Sequence, residues 1–293
     1  MFRQKTGSVV CASCGSLVGV NDDKCYTCGR RYPGLWGFGP ILRRFGNDFG
    51  FTTAIVYGCC GLYALSLLLT VLSGGNLIEG GPFSILGPNL YAYEALGAAG
   101  AYPVYVYGHW WTLLSAGWLH AGALHILFNM MWVRQLGPAV ADIYGEARMI
   151  IIYTLASVSG FFLSSFFGAH PGLAIPFFKG AGYTVGASAP IFGLLGALVH
   201  YGRRGGSSLV YSQALNYAIV LFLFGFFVGG IDNLAHLGGF VGGFLASKWL
   251  DPLKRERMDH FIGAVICLLA TAAAIIACLV PAVPPLVRYL TTR

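Results

Sequence analysis

The chain has 293 residues, of which 56% belong to the hydrophobic set and 10% are charged, against roughly 25% charged in a soluble globular protein. With 42 glycines that follow no three-residue period and a mean hydropathy of +0.68, this excludes an ordinary soluble enzyme, a disordered chain and collagen, and fits several helices packed closely in lipid. The net charge of +7 is scattered through loops rather than gathered into an aromatic-interleaved patch, so nucleic acid is not an expected partner.

Residues 1–33 are polar, contain no run long enough to cross a bilayer and lack the positive-then-apolar order of a cleavable signal peptide. They are expected to remain in the cytosol. Here Cys11 and Cys14, then Cys25 and Cys28, read C-x2-C-x10-C-x2-C, with Gly15 and Gly29 directly after the pairs. Each pair with its glycine predicts a tight knuckle, and two knuckles supply the four sulfurs of a tetrahedral, structural metal site. A reducing cytosol disfavours two disulfides; zinc is the expected metal, although spacing alone leaves a rubredoxin-like iron site open. The expected organisation is a zinc-ribbon-like head over 1–33, a Gly/Pro/aromatic linker over 34–50, a membrane core over 51–250, and a C-terminal transmembrane helix and tail over 251–293. A cytosolic protein is the partner such a head would recruit.

A bilayer core of roughly 30 Å needs about 20 apolar residues in helix, and the hydrophobic runs predict seven spans, at 51–73, 122–143, 148–168, 186–202, 212–231, 234–250 and 261–283. The 74–110 connection, rich in Gly, Pro and Tyr, predicts a partly structured interfacial loop. Lys and Arg set orientation. With the N-terminus inside, the seven basic residues among the first 50, Arg43 and Arg44 included, fall on the cytoplasmic side together with Arg134, Arg148, Arg203, Arg204, Lys248, Lys254, Arg255 and Arg257; Lys179, Arg288 and Arg293 are left outside. The protein is therefore read as integral to the cytoplasmic membrane. The remaining cysteines, Cys59, Cys60, Cys267 and Cys278, read as small hydrophobes within helices.

The fourth span has 17 residues, about 26 Å of helix, and follows Pro171, Pro176, Gly180 and Gly182. Such a helix begins below the outer surface, where non-helical backbone is tolerated only if protein buries it or it lines a wet cavity; the sequence thus suggests water near 183–188. Three groups of polar residues fall at membrane depth, where they are costly and default to function. They are His120, His125 and Asn129; Ser188 within Gly186-Ala187-Ser188-Ala189; and His236, with Gly239 and Gly243 at i+3 and i+7 on its helix face. A membrane serine commonly bonds its own helix, and small-xxx-small is common packing. Close packing of the two helices would nevertheless bring Ser188 Oγ within reach of His236, the minimal activated nucleophile. Asn129, His125 and the Ser188 amide could stabilise an oxyanion. Asp232 reads as the N-cap of the sixth span, and His109, His170, His200 and His260 as solvated residues near span ends.

His120-x4-His125-x3-Asn129, Gly186-Ala187-Ser188-Ala189 and Ala235-His236-x2-Gly239-x3-Gly243, in this order, resemble the rhomboid family of intramembrane serine proteases over about residues 51–250. The resemblance implies an all-α polytopic fold with a six-helix core, here followed by a seventh helix in a 6+1 arrangement. It implies Ser188 as nucleophile and His236 as general base in a dyad, an oxyanion hole of Asn129, His125 and the Ser188 amide, Gly186 and Ala187 in the loop beside it, and Trp111 in a membrane-dipping first loop. The family's usual Trp-Arg pair is here Trp111-Thr112, the glycine usual after the serine is Ala189, and a frequent tyrosine is Phe192, which can still stack on His236. The expected activity is intramembrane endoproteolysis of transmembrane protein substrates, with no catalytic cofactor. The alternatives are a non-proteolytic rhomboid-like protein that binds membrane clients, and a transporter, for which the sequence shows no internal repeat.

Overall fold

The computed structural model describes residues 3–11, 14–42, 50–78, 85–173, 178–254 and 256–291. Arg43, Arg44, Pro176, Arg255 and Arg293 lie outside them. In the head, β1 (Ser8–Val10) and β2 (Leu17–Gly19) form an antiparallel hairpin with Val9 opposite Val18. Val9, Val18 and Val20 bury one face of the hairpin together with Cys11 and Cys25. The linker is not wholly irregular: a 3-10 turn at Leu35–Gly37 leads into the single turn α1 (Gly39–Leu42).

Seven long helices occupy the positions that the hydrophobic runs predict. They are α2 (Phe51–Leu72), α5 (Ala123–Tyr144), α6 (Glu146–Ala169), α7 (Ser188–Arg203), α8 (Ser208–Phe227), α9 (Asn233–Trp249) and α10 (Met258–Thr291). Between α2 and α5 the chain forms α3 (Leu90–Leu96), a π-type turn at Tyr102–Val106 and α4 (Thr112–Ser115). The start of α3 follows from Asn89, whose side chain accepts the Ala92 N–H at 3.0 Å.

By length and composition, four described helices can cross a membrane: Phe51–Leu72, Glu146–Ala169, Ser208–Phe227 and Met258–Pro284. The exceptions are instructive. Helix α5 carries His125, Asn129 and Arg134, while α7 and α9, with 16 and 17 residues, reach only about 24–26 Å. Helix α7 is buried along nearly its whole length, walled by α5, α6, α8 and α9. It is a core helix of the bundle and needs no lipid-facing surface. Helix α8, by contrast, buries only Ala214, Ala218 and Gly225.

Glycine sets the spacing of α6, α7 and α9. A Cβ on Gly239 would run into the Ala189 carbonyl, one on Gly243 into the Gly193 backbone, and one on Gly196 into the Phe240 carbonyl. The α7 and α9 backbones are therefore in direct contact, the approach that small residues permit in membrane helices. On α6, a Cβ at Gly160 would lie 2.6 Å from the Ala235 carbonyl oxygen and 2.8 Å from the Ala189 Cβ.

The non-helical stretch before α7 finds its hydrogen bonds in protein. Ala99 and Thr184 exchange N–H···O bonds at 3.1 and 2.8 Å, Ala101 N–H reaches the Ala181 carbonyl at 2.9 Å, and Gly186 N–H reaches the Ala116 carbonyl at 3.0 Å. The backbone between 181 and 186 is thus satisfied by hydrogen bonds to protein, while only Thr184 and Gly186 of it are buried and the rest is half-buried.

One reading needs correction. His200 is not solvated but 7% exposed, because α7 turns it inward against α9, edge-on to Phe244 at a ring separation of 5.4 Å. His109 and His170 are exposed, and His260 is half-buried.

Candidate active site

Three helix N-termini, those of α5, α7 and α9, meet at the end of the bundle away from the head, and each brings one group of polar residues. On α5, His125 and Asn129 are one turn apart. The Ala121 N–H donates to His125 Nδ1 at 3.2 Å, which in a neutral ring leaves the proton on Nε2. That Nε2 faces the chain just before the serine: a Cβ on Gly186 would lie 2.8 Å from it. Gly186 also has φ +137°, a conformation that side chains disfavour, so both backbone and space require glycine here. His120 packs edge-on against His125, ring centroids 5.3 Å apart, and is 1% exposed. The Asn129 amide donates one N–H to the His125 carbonyl at 2.8 Å and has a second to offer.

Ser188 is the first residue of α7, with Ala187 at the cap position. Its amide is one of the four that an α-helix leaves without an intrahelical acceptor, and its side chain is half-buried. His236 occupies the first turn of α9, 6% exposed. Phe192, one turn after Ser188, stacks on the His236 ring at 4.3 Å with 15° between planes. Contact between Gly239, one turn after His236, and Ala189 holds the starts of the two helices side by side. Among the described residues, no hydrogen bond joins Ser188 Oγ to His236, and His236 Nδ1 has no partner. Such bonds often tighten only when substrate is bound.

Residues 107–252 match the family model described as "Rhomboid domain". The chain belongs to the rhomboid family. It is 32% identical over 168 residues to the "Rhomboid protease GluP" of Bacillus subtilis, covering 56% of this chain and 31% of that protein. The "RHOMBOID-like protein 6, mitochondrial" of Arabidopsis thaliana is 31% identical over 214 residues, or 70% of this chain and 62% of the relative. For the "Rhomboid-like protease 5" of Toxoplasma gondii the figures are 31% over 170 residues, 56% and 19%. The chain thus spans less than two thirds of these relatives' lengths. It is an all-α polytopic membrane protein of rhomboid type.

Within this rhomboid core, Asp232 caps α9: Oδ1 accepts the Ala235 N–H at 3.0 Å, and Oδ2 accepts the Ser164 hydroxyl at 2.5 Å. One oxygen thus caps α9 and the other ties that cap to α6. Sequence reasoning missed Ser164, the Ala116 carbonyl that anchors Gly186, and Gly160. Only Gly160 left a signal, an Ala156-x3-Gly160 small-residue pair on α6. Trp111, assigned to the first loop, donates its indole N–H to Cys278 of α10 at 3.2 Å, so the seventh helix packs against that loop.

In the head, the Cys11, Cys14, Cys25 and Cys28 sulfurs lie within 4.8 Å of one another. Cys11 and Cys28 are 3.7 Å apart and Cys14 and Cys25 3.6 Å apart, close to the edge of about 3.8 Å in a tetrahedron of 2.3 Å metal–sulfur bonds. The four could hold a metal ion. Burial raises the Cys14 thiol, but side-chain and backbone hydrogen bonds with Ser16, and those with Cys28 and Cys25, bring it down to about 6.

Proposed function

We propose that this rhomboid is an intramembrane serine endopeptidase that cleaves transmembrane segments of other membrane proteins, with Ser188 as nucleophile and His236 as base. One observation carries the reading: the first turn of α7, bearing Ser188, is pressed onto α9 at Gly239, one turn after His236, in a contact that admits no side chain. Ser188 Oγ attacks the scissile carbonyl carbon while His236 takes its proton and passes it to the departing amine. Water, deprotonated by His236, then attacks the acyl ester and releases the acid. Negative charge on the tetrahedral oxygen meets the Ser188 amide, the His125 Nε2–H and the second Asn129 N–H, the kind of preorganised donors that dominate acyl-transfer catalysis. Phe192 holds the His236 ring in plane, and His120, Gly186, Ala187, Gly239 and Gly243 support the arrangement. A substrate must unwind locally, because a helix hides its carbonyls in hydrogen bonds, so helix-breaking Gly or Pro near the cut is expected.

The distribution of Lys and Arg supports a cytoplasmic N-terminus and a site opening toward the outer side of the cytoplasmic membrane. The head would hold zinc, through Cys11, Cys14, Cys25 and Cys28, in a structural role. The test is turnover of a fluorogenic membrane-helix substrate by purified protein in detergent. Wild type cleaves it and is labelled by a fluorophosphonate at Ser188, while Ser188→Ala and His236→Ala do neither; equal turnover by Ser188→Ala would refute the assignment of the nucleophile, and neither turnover nor labelling by folded wild type would leave a client-binding rhomboid.

A further inference from the structure

At the end of the bundle opposite Ser188, the head rests on the turn between α5 and α6 and on the connection from α9 to α10. Arg30, two residues past Cys28, is 5% exposed. Its Nη1 lies 3.8 Å from Glu256 Oε2, with the two side chains 1% and 5% exposed. The other oxygen of Glu256 accepts the Arg148 N–H at 3.0 Å. Arg148 is the third residue of α6, a helix that starts after Gly145 (φ +91°) and so has no side chain of its own at the cap position. Glu256 supplies that cap from 108 residues away, and a Cβ on Gly145 would fall 2.6 Å from its Oε1. The Arg148 guanidinium ties down the same connection by donating to the Asp251 and Lys254 carbonyls at 2.5 and 2.9 Å.

A carboxylate this deeply buried stays ionised only when compensated, and removing one member of such a pair strands the other. The helix N-terminus contributes a partial positive charge, Arg30 is the cation at ion-pair distance, the Glu146 side chain hydrogen-bonds to Glu256, and the Arg148 guanidinium adds its charge. What positions Arg30 is the metal knuckle. Its carbonyl accepts the Cys25 N–H at 2.8 Å, and the Gly29 N–H returns to the Cys25 carbonyl at 2.8 Å, so the turn that gathers two of the thiols also presents Arg30. An apo head would have four thiols to satisfy and little else to hold the turn, since its core is three valines and two of those cysteines.

We propose that the head is a metal-dependent clamp on its own membrane core: metal ligation holds Arg30 over Glu256, and that pair keeps the first turn of α6 closed against Glu256 and the stretch 251–254. The partner of this face of the head is thus the chain itself, not a recruited protein. The clamp acts on a helix that also reaches the candidate site, since α6 meets Ala189 and Ala235 at Gly160. The inference does not depend on proteolysis.

The experiment is hydrogen exchange read by mass spectrometry on the full chain in nanodiscs, zinc-loaded and after chelation, with zinc per chain measured in parallel. Stripping zinc should raise exchange at 146–149 by about 10- to 100-fold, the loss expected for one charge-assisted hydrogen bond, and zinc addition should restore it. Residues 208–211, at the same end of the bundle but outside the clamp, should not change. Arg30→Ala with full zinc should show the same rise, and stripping that variant should add nothing further. Unchanged exchange at 146–149 after verified zinc loss, an equal rise at 208–211, or additive effects of chelation and Arg30→Ala would each overturn the clamp.

Discussion

Replacing Gly239 with alanine tests the helix contact on which the catalytic reading stands. The new methyl would lie 2.8 Å from the Ala189 carbonyl carbon and 3.1 Å from its Cα, closer still to the oxygen. All three are backbone atoms, so no rotamer change relieves the clash. Ordinary contact distances can be regained only if α9 retreats from α7 by about 1 Å, because packed interiors offer no slack. That displacement falls one turn from His236 and next to Ser188. Overpacking of this kind costs about 1–3 kcal/mol of stability, and a 1 Å error in reacting geometry costs about 100-fold in rate. Gly239→Ala should therefore melt lower than wild type yet remain folded, while fluorophosphonate labelling of Ser188 and substrate turnover fall about 100-fold. Gly61→Ala is the control, since no atom lies within 4 Å of its added methyl and alanine is the better helix former by about 1 kcal/mol; it should keep full activity. Wild-type labelling by Gly239→Ala, with unchanged melting, would refute the claim that backbone contact sets the site.

Gly186→Ala combines a disfavoured φ of +137° with a methyl against the His125 ring, and labelling should drop more than about tenfold while α7 remains protected in hydrogen exchange. Phe192→Leu removes the stack on His236; at about 0.5–1.5 kcal/mol for an aromatic pair, kcat should fall about 3- to 10-fold with KM nearly unchanged, and an unchanged kcat would show that the ring needs no support. Ser164→Ala withdraws one of the bonds to Asp232 and the acceptor of the Ala181 N–H, and should lower stability by about 1 kcal/mol for each, read as a shift in thermal melting without loss of labelling at low temperature. For the metal-free head, a Cys14 thiol held at about 6 instead of 9 favours the folded state in its thiolate form. That contribution is complete above about pH 9 and disappears as pH falls through about 6. Iodoacetamide should accordingly modify Cys14 of an apo head that keeps its fold rapidly at pH 7 and slowly at pH 5, and a profile centred on 9 would show that the Ser16 hydrogen bonds are lost with the metal.

The seven helices were legible because apolar run length is a direct imprint of bilayer thickness, and the odd shortness of the helix after Gly186 was legible from Gly180, Gly182 and the prolines before it. The polar groups stood out for the same reason: in a chain this apolar, His125, Asn129, Ser188 and His236 are costly exceptions. The π-type turn at 102–106 and the backbone exchange between Ala99 and Thr184 could not be read, because such irregular structure is fixed by partners distant in the chain rather than by local periodicity. His200 misled because its position near a span end suggests water, whereas burial depends on which way α7 faces. The cap on α6 was invisible for a related reason: Gly145 shows only that no local cap exists, and nothing in the order of residues points to Glu256.

The glycine contacts between α7 and α9 have a consequence beyond the site they hold. Where side chains separate two helices, a push at one point is absorbed by small rotamer adjustments before it reaches the neighbour. Ala189 on Gly239, Gly193 on Gly243 and Gly196 on the Phe240 carbonyl leave no such cushion, so the two helices behave as one stiff body from the candidate nucleophile to their midpoints. Damage anywhere along that seam is felt at Ser188 undamped. Any adjustment of the bundle must then arise on surfaces that can yield, such as α8, which buries only Ala214, Ala218 and Gly225, rather than at the seam itself.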